Sequence, residues 1–158
     1  MNRFAQGLYT NASWALRVAC TVHLIHWNVY ELTDTRGESM LPTLRAAGDY
    51  VHVDKLFHSR GRNCKVGDII VAGKPTDPEQ RVCKRITGMP GDVVLVDPSA
   101  NDYDRFITIP DGHCWVTGDN LHESIDSRTY GPLPLALIRG KVVAIQSGGH
   151  FQRITDTD

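Results

Sequence analysis

The 158-residue sequence contains no C-x-x-C pair, internal repeat, low-complexity run or excess of charge of either sign. Its four cysteines, Cys20, Cys64, Cys83 and Cys114, are far apart, and the seven histidines do not gather near them. A structural zinc site needs clustered thiolates or imidazoles, so no metal and no cofactor is expected. Isolated buried or free thiols are the plain reading, with a Cys64–Cys83 or Cys83–Cys114 disulfide left open for an oxidising compartment. Seventeen basic residues against eighteen acidic ones give a formal charge of −1. That balance leaves no basic footprint for nucleic acid and no acidic tail. With 41% hydrophobic residues the chain can bury a real core, and its length suits one domain.

Long apolar runs are also scarce. The longest, Ala12 to Tyr30, reads ASWALRVACTVHLIHWNVY and has neither Gly nor Pro. It has the roughly 20 residues that a helix needs to cross a bilayer. Arg17, His23, His26 and Asn28 interrupt its hydropathy. At helical pitch Arg17, Thr21 and Asn28 fall within about 40° of one another, so one polar stripe can face a partner helix. Trp14 and Trp27 stand near the two ends, where amphipathic rings favour the interface. No small-x-small cleavage site follows, so the segment is expected to be retained. Arg3 and Arg17 against Glu31 and Asp34 favour an N-terminus on the inner side. The competing reading is an amphipathic helix docked on the body.

After Tyr30 short runs rich in Val and Ile alternate with Gly, Pro, Asp and Asn. Residues 50–53, 68–72, 81–87, 92–96, 106–109, 113–117 and 138–146 read as strands, separated by turn signals such as Pro90-Gly91-Asp92. The expectation is a mainly β domain of antiparallel sheets, with a short helical turn at 134–137. The chain divides into a short segment 1–11, an anchor helix 12–30, a β-rich domain 31–147 and a polar, frayed tail 148–158.

Three segments are dense in chemistry. In Gly37-Glu38-Ser39-Met40-Leu41-Pro42-Thr43-Leu44 a serine sits on a bend just beyond the anchor. A serine hydroxyl is a weak nucleophile that needs a base; alone, Ser39 is a loop serine. In Arg81-Val82-Cys83-Lys84-Arg85-Ile86, strand alternation places Lys84 on the apolar side with Val82 and Ile86. Desolvation there disfavours the ammonium and makes a base usable near neutral pH. The rival is an edge-strand lysine reaching solvent, while Arg81 and Arg85 read as solvated charges on the open face. The third, Gly118-Asp119-Asn120-Leu121-His122-Glu123-Ser124-Ile125-Asp126-Ser127-Arg128, offers an Asp126–Arg128 ion pair and serines able to meet an amine. A helix cap or turn network is the plain alternative.

Taken together, these segments resemble type I signal peptidases, which use a Ser–Lys dyad rather than a Ser–His–Asp triad. The resemblance runs in order from Gly37 to about Ala144, through Ser39-Met40-x-Pro42-Thr43, Gly48-Asp49-Tyr50-Val51, Gly67-Asp68-Ile69-Ile70, Lys84-Arg85 with Gly88-x-Pro90-Gly91-Asp92, and Gly118-Asp119-Asn120 with Ser124-x-Asp126-Ser127-Arg128. The wording Arg36-Gly37-Glu38-Ser39-Met40-Leu41-Pro42-Thr43-Leu44 looks like the mitochondrial inner membrane branch. The resemblance implies a signal-peptidase-like fold with one transmembrane helix, anchored in that membrane with its catalytic domain in the intermembrane space. It implies a serine endopeptidase that removes sorting presequences from precursor proteins beside membrane lipid, in a heterodimer with a related second catalytic subunit. Ser39 would attack, Lys84 would act as general base, Ser124 would orient the lysine, and Asp126 and Arg128 would brace the loop. The family's serine two positions before the nucleophile is Gly37 here, so oxyanion binding falls on backbone N–H groups, chiefly that of Ser39. Only 25 residues separate Asp92 from Gly118, leaving no room for the extra β-domain of larger bacterial members. Three rivals stand beside this reading: a bacterial-type signal peptidase in another membrane, a non-catalytic binding subunit of a peptidase complex, and a self-cleaving repressor-type peptidase. The last predicts an upstream DNA-binding module, and no basic recognition helix precedes the domain.

Overall fold

A computed structural model describes residues 3–98 and 105–154. Helix α1 (Arg3–Asn28) forms across the stretch free of proline and longer than the expected 12–30 segment at its start. It ends where the Asn28 side chain bonds back to the Leu24 carbonyl at 3.1 Å and the chain enters strand β1 (Tyr30–Arg36). Trp14, Leu16, Val18, Val22, Leu24 and Trp27 all stay exposed on it. Among the described residues no helix is long and apolar enough to cross a membrane, because Arg17, His23, His26 and Asn28 dilute the apolar face.

The remaining strands are β2 (Ala47–Asp54), β3 (Ile69–Lys74), β4 (Asp77–Gly88), β5 (Val93–Leu95), β6 (Phe106–Thr108), β7 (His113–Thr117), β8 (Leu133–Pro134), β9 (Ile138–Ser147) and β10 (His150–Arg153). One helical turn, α2 (Ser127–Tyr130), lies between β7 and β8. The large sheet runs β1-β2-β9-β3-β4-β7-β8, with β10 added to β9, and β5 pairs with β6 in a separate ribbon. Every pairing is antiparallel. The domain is thus mainly β, and the strands read from Val and Ile runs are present.

β3 is buried on both faces, which explains its unbroken Ile69-Ile70-Val71-Ala72 run. Ile69 and Val71 join Met40, Leu44, Val51, Val53, Val142 and Ile145 in one core cluster. Ile70 and Ala72 join Ile86, Cys114, Val116, Leu133 and Ile138 in the other. Besides the short α2 and β8, two longer elements differ from the sequence expectation. The residues following α1 form β1, whose buried position is Glu31 and whose Leu32 is exposed, so no apolar alternation announces it. The segment expected to fray from residue 148 instead carries β10, paired to β9 through its backbone with all four residues exposed and the Phe151 ring edge-on to His52 at 5.1 Å. Residues 155–158 of that tail, and residues 1–2 of the N-terminal segment, lie outside the described residues.

Candidate active site

β1 and β2 are joined by an excursion whose first residue, Gly37, adopts φ +106°, a left-handed conformation that side chains rarely tolerate. The Gly37 N–H donates to the Ala46 carbonyl at 2.9 Å and closes the loop at its base. Met40 and Leu44 then drive inward, 3% and 2% exposed, and plug the first core cluster. Burying two such side chains contributes about 1.5–3 kcal/mol each, so the loop is pinned by its own apolar residues. Ser39 sits half-buried immediately before one of these plugs. Its carbonyl accepts the Asn120 N–H at 3.0 Å, and the Asn120 side chain donates to the Glu38 carbonyl at 3.2 Å. The Ser39 N–H itself makes no hydrogen bond among the described residues.

Lys84 occupies β4 opposite Ile70 of β3 and is only 4% exposed. Its neighbour Ile86 is fully buried, as the alternation along β4 requires. The Lys84 Nζ donates to Ser39 Oγ at 2.7 Å across 45 positions of sequence. Burial pulls the lysine pKa below its ordinary value, against the opposing influence of Cys83, Asp126 and Asp119. A buried amine with a depressed pKa in contact with a hydroxyl can take that hydroxyl's proton.

The third segment encloses this pair from beyond β7. Asp126 is fully buried and accepts hydrogen bonds from the Gly118 N–H at 3.0 Å, Ser124 Oγ at 2.6 Å and Arg128 Nε at 2.9 Å. Burial alone would raise its pKa, yet the Arg128, Ser124 and Gly118 donors hold the carboxyl below its ordinary range. Arg128 also donates to the Leu121 and Ser124 carbonyls at 2.5 and 3.2 Å, so the ion pair ties the loop to itself. The Ser124 hydroxyl therefore spends its proton on Asp126, and it makes no hydrogen bond to Lys84. Its place beside the dyad is set by Gly118, where a methyl group would overlap both Ser124 Oγ and the Ser39 carbonyl.

Three further residues complete the site. Arg85, read from the sequence as a solvated charge, grips both oxygens of Asp119 at 2.9 Å and donates to the Gly67 carbonyl at 2.8 Å. Thr43 Oγ1 donates to the same Asp119 at 2.5 Å. Arg81 likewise pairs with the buried Glu31, which also takes Lys55 at 2.9 Å. These partners are 34 to 76 positions apart for Asp119, beyond the reach of any local pattern. The Gly118-Asp119-Asn120 turn was the one available signal.

A cleft of about 180 Å³ opens at Ser39 and Lys84, walled by Thr33, Thr35 and Arg36 of β1 and by Val82 and Cys83 of β4. β1 pairs only with β2, and residues 81–83 of β4 pair only with β3, so the cleft lies between two open strand edges. All four cysteines are free thiols, and burial pushes the Cys83 thiol up to about 12. Among the described residues no group of His, Cys, Asp or Glu could hold a metal ion.

The family model "Signal peptidase, peptidase S26" matches residues 9–102 and 97–146. The chain is 59% identical over 144 residues to the mitochondrial inner membrane protease subunit 1 of Saccharomyces cerevisiae, covering 84% of this chain and 75% of that protein. It is 34% identical over 148 residues to subunit 2 of the same yeast's protease, covering 90% of this chain and 80% of that one. Among solved structures, a signal peptidase I from Enterococcus faecalis V583 matches with a TM-score of 0.42 and 24% identity, covering 51% of this chain and 97% of that one.

Proposed function

Since this chain belongs to the signal peptidase family, peptidase S26, we propose that it cuts sorting presequences from precursor proteins with Ser39 as nucleophile and Lys84 as general base. It is a serine peptidase of the signal-peptidase type. The observation that carries the residue assignment is the 2.7 Å contact between Ser39 Oγ and the buried Lys84 amine. Lys84, neutral at the moment of attack, takes the Ser39 proton as Oγ bonds to the scissile carbonyl carbon. The developing oxyanion is met by the Ser39 N–H, which has no other acceptor. As the C–N bond breaks, Lys84 returns the proton to the leaving amine. Water then attacks the acyl-enzyme, giving its proton to Lys84, and Ser39 departs with that proton restored. Asp126, Arg128 and Ser124 shape the wall behind the lysine without entering these transfers.

An extended substrate would add its backbone to the free edges of β1 and β4, which leads the scissile bond to Ser39. The attachment is α1, acting as a single-pass anchor of the mitochondrial inner membrane with the β domain in the intermembrane space. Its polar stripe of Arg17, Thr21 and Asn28 would face a helix of a related second subunit, which would meet the cost of a charge in hydrocarbon. The yeast relatives, one named subunit 1 and the other subunit 2 of one protease, support this pairing.

The test is incubation of the purified chain, with and without a second subunit, with membrane-protein precursors, followed by mapping of new N-termini. Cleavage that vanishes in Lys84→Ala and Ser39→Ala, with the fold intact by circular dichroism, is the expected result. Undiminished cleavage by either variant would overturn the assignment.

A further inference from the structure

A second cleft, of about 500 Å³, lies away from Ser39, where the end of α1 meets the β domain. One wall is the helix, which contributes His23, His26 and the 66%-exposed Trp27. The other is cationic: Lys55, Arg60, Arg81 and Arg139 face a single carboxylate, Glu31. Lys55 and Arg81 share that carboxylate. Arg139 donates only to the Pro78 carbonyl at 3.2 Å, and Arg60 has no partner among the described residues. Arg60 also sits at φ 58°, ψ 31°, a conformation uncommon for a residue with a long side chain. Two guanidiniums without carboxylates therefore flank a cavity whose opposite wall is α1, a helix that exposes Leu16, Val22 and Leu24 along its length.

We propose that this cleft binds the phosphodiester headgroup of an anionic membrane lipid, with Arg60 and Arg139 on the phosphate and the acyl chains along α1. An amphiphile is favoured over free phosphate because the cationic wall faces a helix that brings the Trp27 indole to the cleft and exposes Leu16, Val22 and Leu24 along its length. Guanidinium presents the forked donors that phosphate oxygens accept. The inference rests on α1 being the membrane attachment.

Full-length protein is titrated with vesicles of phosphatidylcholine alone and of phosphatidylcholine with phosphatidylglycerol. Binding to the anionic vesicles is expected to be tighter by on the order of tenfold at low ionic strength. Arg60→Gln with Arg139→Gln should erase that preference while leaving attachment to neutral vesicles, and Arg60→Lys with Arg139→Lys should keep part of it. A matched melting temperature checks that the fold survives. Equal binding to both vesicle types overturns the headgroup site but leaves the attachment standing, whereas no binding to either overturns both. Displacement from the anionic vesicles by inorganic phosphate at equal ionic strength, as readily as by the lipid headgroup, would reassign the cleft to free phosphate and overturn the lipid proposal.

Discussion

Arg85 holds Asp119 through two parallel 2.9 Å contacts, one position beyond the buried lysine. Asp119 in turn accepts Thr43, four positions beyond the serine. The strand that carries Lys84 and the loop that carries Ser39 are thereby bolted to the same carboxylate. Neither group touches the 2.7 Å Lys84–Ser39 contact, yet both fix the bodies that meet there. Asp119→Asn should weaken the bidentate pairing and lower kcat by more than it raises KM. Thr43→Val should do the same to a smaller degree, since it removes one hydrogen bond of about 1 kcal/mol. Steady-state kinetics on a presequence peptide distinguishes this from a substrate-binding role, which would move KM.

Lys84 should make the enzyme less stable than it need be. Burial holds its pKa below the ordinary value of about 10.4. Below the native pKa both states carry the proton, and the full cost of a buried ammonium is present. Between the native and the ordinary pKa the unfolded chain holds a proton that the native chain has shed, so stability rises with pH through that window. Cleavage should rise with pH through the native pKa and then level off, as a neutral amine requires. Lys84→Met keeps the length and removes the charge. It should abolish cleavage and raise the melting temperature at pH values below the native Lys84 pKa by about 2–4 °C for each kcal/mol relieved. Melting curves at several pH values check both effects, and a variant that melts lower across the whole range would refute the argument.

The legibility of this site from sequence followed the range of the forces involved. Strand alternation is local, so Lys84 on the apolar side of β4 could be read from its two neighbours. The Val and Ile runs of β2, β3 and β9 announced themselves for the same reason. β1 did not, because its inward residue is Glu31, whose burial is made tolerable by Lys55 and Arg81 from elsewhere in the chain. β10 did not, because backbone pairing to an edge leaves no mark on exposed side chains. Arg85 was misread since a charge looks solvated until its partner 34 positions away is brought to it. Ser39 had no physical signature of its own beyond a bend, and only the wording around it pointed to chemistry. Ser124 was expected to orient the lysine; its hydroxyl donates to Asp126 at 2.6 Å, a partner two positions away that the local wording did not single out for it.

Asp126 should be the residue most costly to replace outside the dyad. It is wholly buried, is paired with Arg128 at 2.9 Å and serves two other donors. Removing the charge leaves the 9%-exposed Arg128 side chain without its nearer carboxylate, a loss of about 3–5 kcal/mol for a buried pair. Asp126→Asn is expected to cost about that much in urea denaturation. The sign with pH follows from a depressed carboxyl pKa. The stabilisation is present in full above the ordinary value of about 3.9 and is lost as pH falls through the lowered native value. The variant should therefore show a shallower acid transition than the parent, and equal transitions would contradict the role.

Gly118 should prove indispensable for a reason unrelated to backbone flexibility, since its φ lies outside the left-handed region. A methyl group added at its α-carbon would collide with both the Ser39 carbonyl oxygen and Ser124 Oγ. The Ser39 carbonyl is backbone and is already held by the Asn120 N–H at 3.0 Å, so it can yield only by moving Ser39. Ser124 can yield only by leaving Asp126. Gly118→Ala should consequently cost about 1–3 kcal/mol of stability, as overpacking does, and reduce kcat beyond what the lost folded fraction explains. Measuring cleavage well below the melting temperature separates the two effects. If the variant cleaves normally there, the close approach of Gly118 to the Ser39 carbonyl has no part in positioning the nucleophile.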